Sequence, residues 1–210
     1  MQPFSRLTAV AAPLLAANVD TDQLLPARFL RKPRGDGYQN YLFYDLRRRA
    51  DGSLDPDFVL NDPRYAGARI LVSDDNFGCG SSREGAVYAL VDAGFRAVLA
   101  PGFGDIFAGN AVNNGLLAGR IDPATRDSLW RALAATPGLE ITLDLEALSI
   151  AVPGGEPLGF TLDAARRARL LAGQDDIDLT LAFEDEVAAF AGTYENRYPW
   201  SAPAGRPKAQ

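Results

Sequence analysis

The segment richest in groups able to do chemistry is Ser73-Asp74-Asp75-Asn76-Phe77-Gly78-Cys79-Gly80-Ser81-Ser82-Arg83-Glu84. Its two glycines let a backbone approach a ligand closely, and a helix beginning beyond them presents unpaired N–H groups and the positive end of its dipole. Arg83 adds a fork of donors that matches a carboxylate bidentately. A di- or tricarboxylic acid suits such a site. The same residues also read as a capping box, with Ser81 as N-cap and Glu84 reaching back from the third helical position. The two readings are compatible, because donors around an N-cap serine also stabilise its alkoxide. A serine without histidine acts as a base only where nearby positive charge holds the deprotonated form.

Other chemistries are excluded by composition. The chain has no histidine and one cysteine, Cys79, so a Ser-His-Asp or Cys-His arrangement and an internal disulfide are ruled out. An iron–sulfur cluster generally takes three or four thiolates and zinc favours thiolate and imidazole, so any metal must be held by another chain. Cys79 itself, with no basic partner in sequence, reads as a small packing residue. Gly78-Cys79-Gly80 imitates the start of a dinucleotide fingerprint, but Arg83 occupies the place of the third glycine, and no glycine-lysine-serine/threonine triplet forms a P-loop.

The elements that position this loop follow from hydrophobic pattern. Residues 68–73 form a short apolar run typical of a buried strand, and 82–93 a helix closed by Gly94. Residues 97–100 are the next buried strand, 105–113 the next helix and 116–121 a further strand, which together predict parallel βαβ units in an α/β fold. Pro123 opens a helix to about residue 135. Runs at 139–145 and 148–152 predict a hairpin, and 163–171 and 179–194 predict helices. Residues 18–31 read as a polar Asp-rich turn leading into an apolar stretch, and 31–62 as a long loop. The tail 201–210 reads as disordered.

The 210 residues fit a single domain, 1–200, with an apolar fraction of 47% that supports a self-sufficient core. Twenty-one basic against 27 acidic residues give a net charge of −6, with no basic concentration to neutralise a phosphate backbone, so no nucleic acid partner is expected. No apolar run approaches the roughly 18 residues of a membrane span, no membrane association is expected, and the N-terminus lacks the pattern of a leader. A cytoplasmic location is expected.

Asn18-Val19-Asp20-Thr21-Asp22-Gln23, the stretch 56–66, Asp75 to Glu84, Gly94 to Pro101, Asp105-Ile106-Phe107 and Asn114-Gly115-Leu116-Leu117 resemble, in order, the small subunits of the 3-isopropylmalate dehydratase family of aconitase-type hydro-lyases. The resemblance implies an aconitase-type swivelling β/β/α domain with C-terminal helices. It also implies a large partner subunit carrying a [4Fe-4S] cluster, a small dicarboxylic acid substrate and a role in leucine biosynthesis. By position, Ser81 is similar to the family's catalytic base, Ser82 and Arg83 to its substrate-binding residues, and Asp22 to an aspartate near the site. Aromatics of the 31–44 loop either line an apolar pocket or pack the loop onto the domain.

The sequence departs from the family pattern at several points. Gly85 stands in place of a histidine, removing a potential donor from the site's edge, and Val87-Tyr88 stand for Pro-Trp. Related hydro-lyases acting on citraconate, dimethylmaleate or homoaconitate, and a non-catalytic partner-binding subunit, are the alternatives that follow.

Overall fold

Residues 6–14, an alanine-rich run containing Pro13, form the central strand of the sheet (β1, Arg6–Leu14). The sequence does not mark this run as a strand, because its alternation stops after Ala9 and it contains a proline. Register explains why proline is tolerated. The Ala11 N–H donates to the Leu139 carbonyl at 3.1 Å, and the nitrogen of Pro13, two residues on, faces the same side. There the neighbouring strand has already ended, so no ladder bond is lost.

The structure is a computed structural model that describes residues 1–201. The tail expected to be disordered therefore lies outside the described residues, apart from Ser201. After β1 come α1 (Thr21–Leu24), α2 (Tyr44–Arg47), β2 (Ile70–Ser73), α3 (Glu84–Asp92), β3 (Ala97–Ala100) and α4 (Asp105–Asn113). Then follow β4 (Leu117–Arg120), α5 (Pro123–Ala135), β5 (Glu140–Asp144), β6 (Ser149–Ala151), β7 (Leu158–Gly159), α6 (Ala164–Ala172), α7 (Asp176–Leu181) and α8 (Glu184–Arg197). The described strands form one sheet in the order β4-β3-β2-β1-β5-β6-β7. Strands β1 to β4 are mutually parallel, and β5 to β7 add an antiparallel extension at the other side of β1.

The parallel strands are buried on both faces, as their continuous apolar runs require. Ala12, Leu71, Val98 and Ala118 point into one core, which also holds Leu90 of α3 and Phe107 of α4. Ala11, Ile70, Leu99 and Leu117 point into the other, with Leu129 and Leu133 of α5 and Leu170 of α6. The expected α/β class, the βαβ units and the 139–152 hairpin are all present, while β7, of two residues, is too short to leave a pattern in the sequence.

The chain divides into two compact units, Met1–Gln174 and Asp175–Gln210. In the second, the run expected as one helix over 179–194 is two, α7 and α8, separated at Ala182 and Phe183.

Candidate functional site

Three loops leave the carboxyl ends of neighbouring parallel strands: 15–20 after β1, 74–83 after β2 and 101–104 after β3. Hydrogen bonding between them continues the sheet beyond its regular strands. The Gly78 N–H donates to the Val19 carbonyl at 2.7 Å, and the Thr21 N–H to the Cys79 carbonyl at 3.0 Å. On the other side, Phe77 N–H donates to the Gly102 carbonyl at 3.0 Å, and Gly104 N–H to the Phe77 carbonyl at 2.9 Å. The 74–83 loop is thus pinned between both neighbours. Gly78 is obligatory in this seat, with φ of +71° and the Phe107 ring 2.2 Å from where a Cβ would stand.

Between the loops lies a cleft of about 320 Å³ lined by Thr21, Cys79, Ser81, Arg83, Asp105 and Ile106, among others. Its position, outside the carboxyl ends of parallel strands, is where α/β sheets bind ligands. The starts of α3 and α4 flank it, so two helix N-termini contribute positive potential.

Ser81 is exposed at the cleft, and its carbonyl accepts from the Thr21 hydroxyl at 2.9 Å, which fixes the peptide carrying it. Arg83 reaches the same cleft with its side chain 19% exposed, and pairs with the Asp22 carboxylate. Asp22 also accepts from the Ala27 N–H at 3.1 Å. Arg83 holds the Asp22 carboxyl below the usual carboxylate range, against a smaller opposing effect of burial. Ser82 is exposed and is not among the residues lining the cleft. The structure therefore brings together Ser81, Arg83 and, through Arg83, Asp22, but not Ser82.

The capping box is not formed. Helix α3 begins at Glu84 with Arg83 at the N-cap and no side-chain cap, and Glu84 instead accepts from Asn114 at 2.9 Å. The extended backbone at Arg83, φ −124° and ψ 99°, turns that residue toward the cleft rather than winding it into the first turn. Capping boxes form instead in α1, where Asp20 and Gln23 cap each other reciprocally, and in α7, where Asp175 and Asp178 do the same.

Thr21, Asp105, Ile106 and Phe107 also line the cleft; they stand in motifs shared with the family, but the sequence assigns them no site role. Asp105 and Ile106 open the second helix after the second βα turn, so considering adjacent βα turns as one surface would have found them. Cys79 is only partly buried and lines the cleft, and burial, aided by the Asp20 charge, pushes its thiol up. Gly85 faces away from the chemistry expected of it. A Cβ there would meet Leu25 at 2.9 Å and Leu30 at 3.1 Å, so a side chain would enter an apolar cluster. The 31–44 aromatics likewise turn inward: Tyr38 and Phe43 are buried, and Tyr41 stacks on Phe29 at 4.2 Å.

Among the described residues no group of three or more His, Cys, Asp or Glu could hold a metal ion. With one thiol and no imidazole, the donor set does not fit an iron–sulfur cluster. No described helix is long and apolar enough to cross a membrane.

The aconitase C-terminal domain family matches residues 1–123, and the LeuD_N family matches residues 127–164. The 3-isopropylmalate dehydratase small subunit of Shewanella amazonensis is 47% identical over 95% of this chain and 98% of its own. That of Magnetococcus marinus is 43% identical over 96% and 99%. The chain belongs to the 3-isopropylmalate dehydratase small-subunit family. A crystal structure of 3-isopropylmalate dehydratase from Methanocaldococcus jannaschii, 24% identical, superposes with a TM-score of 0.63 over 89% of this chain and 99% of that one. The likeness shows that the small-subunit family's aconitase-type fold is the fold described above.

Proposed function

We propose that this chain is the small subunit of a two-chain hydro-lyase that interconverts 2- and 3-isopropylmalate by dehydration and rehydration, in leucine biosynthesis. The observation that carries the reading is the convergence of Ser81 and Arg83 on one cleft at the carboxyl ends of the parallel strands. The relatives named as small subunits match nearly the whole chain, which supports pairing with a large subunit.

In this reading Arg83 grips a substrate carboxylate, and Ser81 as alkoxide removes a proton from one carbon while the neighbouring carbon loses hydroxide. Water then adds back with the positions exchanged. The α3 N-terminus and the Arg83 guanidinium are the positive charge that an alkoxide needs. Asp22 acts through Arg83. A carboxylate would repel a dianionic acid, but as a counter-ion it holds the guanidinium in place before substrate arrives. Ser82 contributes to carboxylate binding only if the loop closes further in the assembled enzyme.

With no histidine and one cysteine, the sequence holds no donor set for a Lewis-acidic metal that would polarise the leaving hydroxide. That half of the reaction belongs to the large subunit, where the family resemblance puts a [4Fe-4S] cluster.

The test is anaerobic reconstitution with the large subunit and assay of isopropylmaleate hydration, with citraconate and dimethylmaleate as comparators. Isopropylmaleate should be preferred. A stable, cluster-loaded complex that turns over none of the three would sink the reading.

A further inference from the structure

Residues 175–201 present a surface that their own helices do not cover. Neither α7 nor α8 buries a single residue. Phe183, Val187, Phe190 and Tyr194 recur at the four-three-four spacing of one helical face, exposed by 59, 54, 66 and 43%. Beyond Tyr194 the stripe becomes a ladder of rings. Phe190 stacks on Tyr194 at 5.5 Å, Tyr194 contacts Tyr198 at 4.9 Å, and Tyr198 meets Trp200 edge-on at 5.4 Å. Trp200 is 80% exposed. A 14-residue helix with no buried face is marginal in water, and tyrosine and tryptophan are the residues that most often anchor protein interfaces.

Charge selects the occupant. From Asp175 to Ser201 the chain carries Asp175, Asp176, Asp178, Glu184, Asp185, Glu186 and Glu195 against Arg197. Two such strips would repel each other, which argues against a second copy of this chain. Alignments that cover 95 and 96% of the chain must run through this unit, so both of these small subunits carry residues that align with it.

We infer that the Phe183–Trp200 stripe is the docking surface for the large subunit, seated in an apolar groove rimmed by lysine and arginine. The inference rests on the two-subunit reading above, and it names the surface that reading leaves open.

The test measures association directly, by sedimentation or calorimetry with the purified large subunit, and turnover separately. Phe190→Ala combined with Trp200→Ala should weaken association by roughly 10- to 100-fold while kcat at saturating small subunit stays within about twofold. Raising salt should weaken the wild-type complex, because the acidic flank faces a basic rim. Amide exchange over 184–197 should slow when the large subunit is added. Unchanged affinity in the double variant, or unchanged exchange on complex formation, would overturn the inference. A wild-type homodimer that the same substitutions dissociate would overturn it as well. A complex that forms, responds to the substitutions and turns over no substrate would leave the docking surface standing and remove the catalytic reading instead.

Discussion

Arg83 and Asp22, drawn from segments that follow β2 and β1, form an ion pair at the edge of the cleft that holds Ser81. The pair couples two loops that already share backbone hydrogen bonds, and it holds a guanidinium at the cleft, where the proposed function has it meet a substrate carboxylate. Substituting Asp22→Asn should therefore act mainly on binding. We expect KM for isopropylmalate to rise by about tenfold with kcat changed by less than about threefold. A fall in kcat of the size expected for a lost base, with KM unchanged, would show that Asp22 takes part in the chemistry itself.

The same pair sets a titration. Arg83 depresses the Asp22 pKa below its ordinary 3.8 in the folded chain. Any stability from the pair is present above the unfolded carboxylate value of about 3.9 and is lost as pH falls through the lower folded value. Carboxyl NMR titration should find Asp22 below 3.8, and Arg83→Ala should return it upward. An Asp22 that titrates normally in the wild type would mean the ion pair is not populated in solution. Because Asp22 is half exposed, we expect a small effect on overall stability.

Ser81 carries the sharper prediction. Ser81→Ala should lower kcat by about 10²- to 10⁴-fold, the range for a lost general base, and leave assembly with the large subunit intact. Its carbonyl, which accepts from Thr21, is retained in the variant, so the loop should keep its seat. A rate near normal would reduce Ser81 to a structural position.

Gly78 tests how the cleft is built. Alanine there needs a positive φ and a Cβ that overlaps the Phe107 ring. Gly78→Ala should cost about 2 kcal/mol or more in urea unfolding and lower activity with it. A variant as stable as wild type would show that the loop can relocate freely.

The 31–44 loop is tied to α3 through Arg34. The Arg34 guanidinium donates to Asp92 at 2.6 Å and lies 4.1 Å over the Tyr88 ring. Arg34→Ala should speed amide exchange across 31–44 while costing less than about 1 kcal/mol globally, because the pair is partly exposed. Unaltered exchange would assign the loop's order to its buried aromatics alone.

The sequence by itself determined the chemistry this chain lacks and the loop that bears what it has. No histidine and one cysteine exclude most catalytic arrangements whatever the fold, and a serine and arginine between a buried strand and a helix mark a candidate anion site. Short apolar runs likewise identify β2 and β3, because burial on both faces leaves a pattern within one segment. Only the tertiary structure decided what depends on contacts between segments. The role of 6–14 as the central strand rests on pairing with β2 and β5, and its proline is admissible only because β5 stops short of it. The pairing of Asp22 with Arg83 and the arrival of Asp105 and Ile106 opposite Ser81 arise because three separate loops leave the same end of the sheet. The direction of Gly85 was equally hidden, since a helical position gains a facing only when Leu25 and Leu30 pack against it.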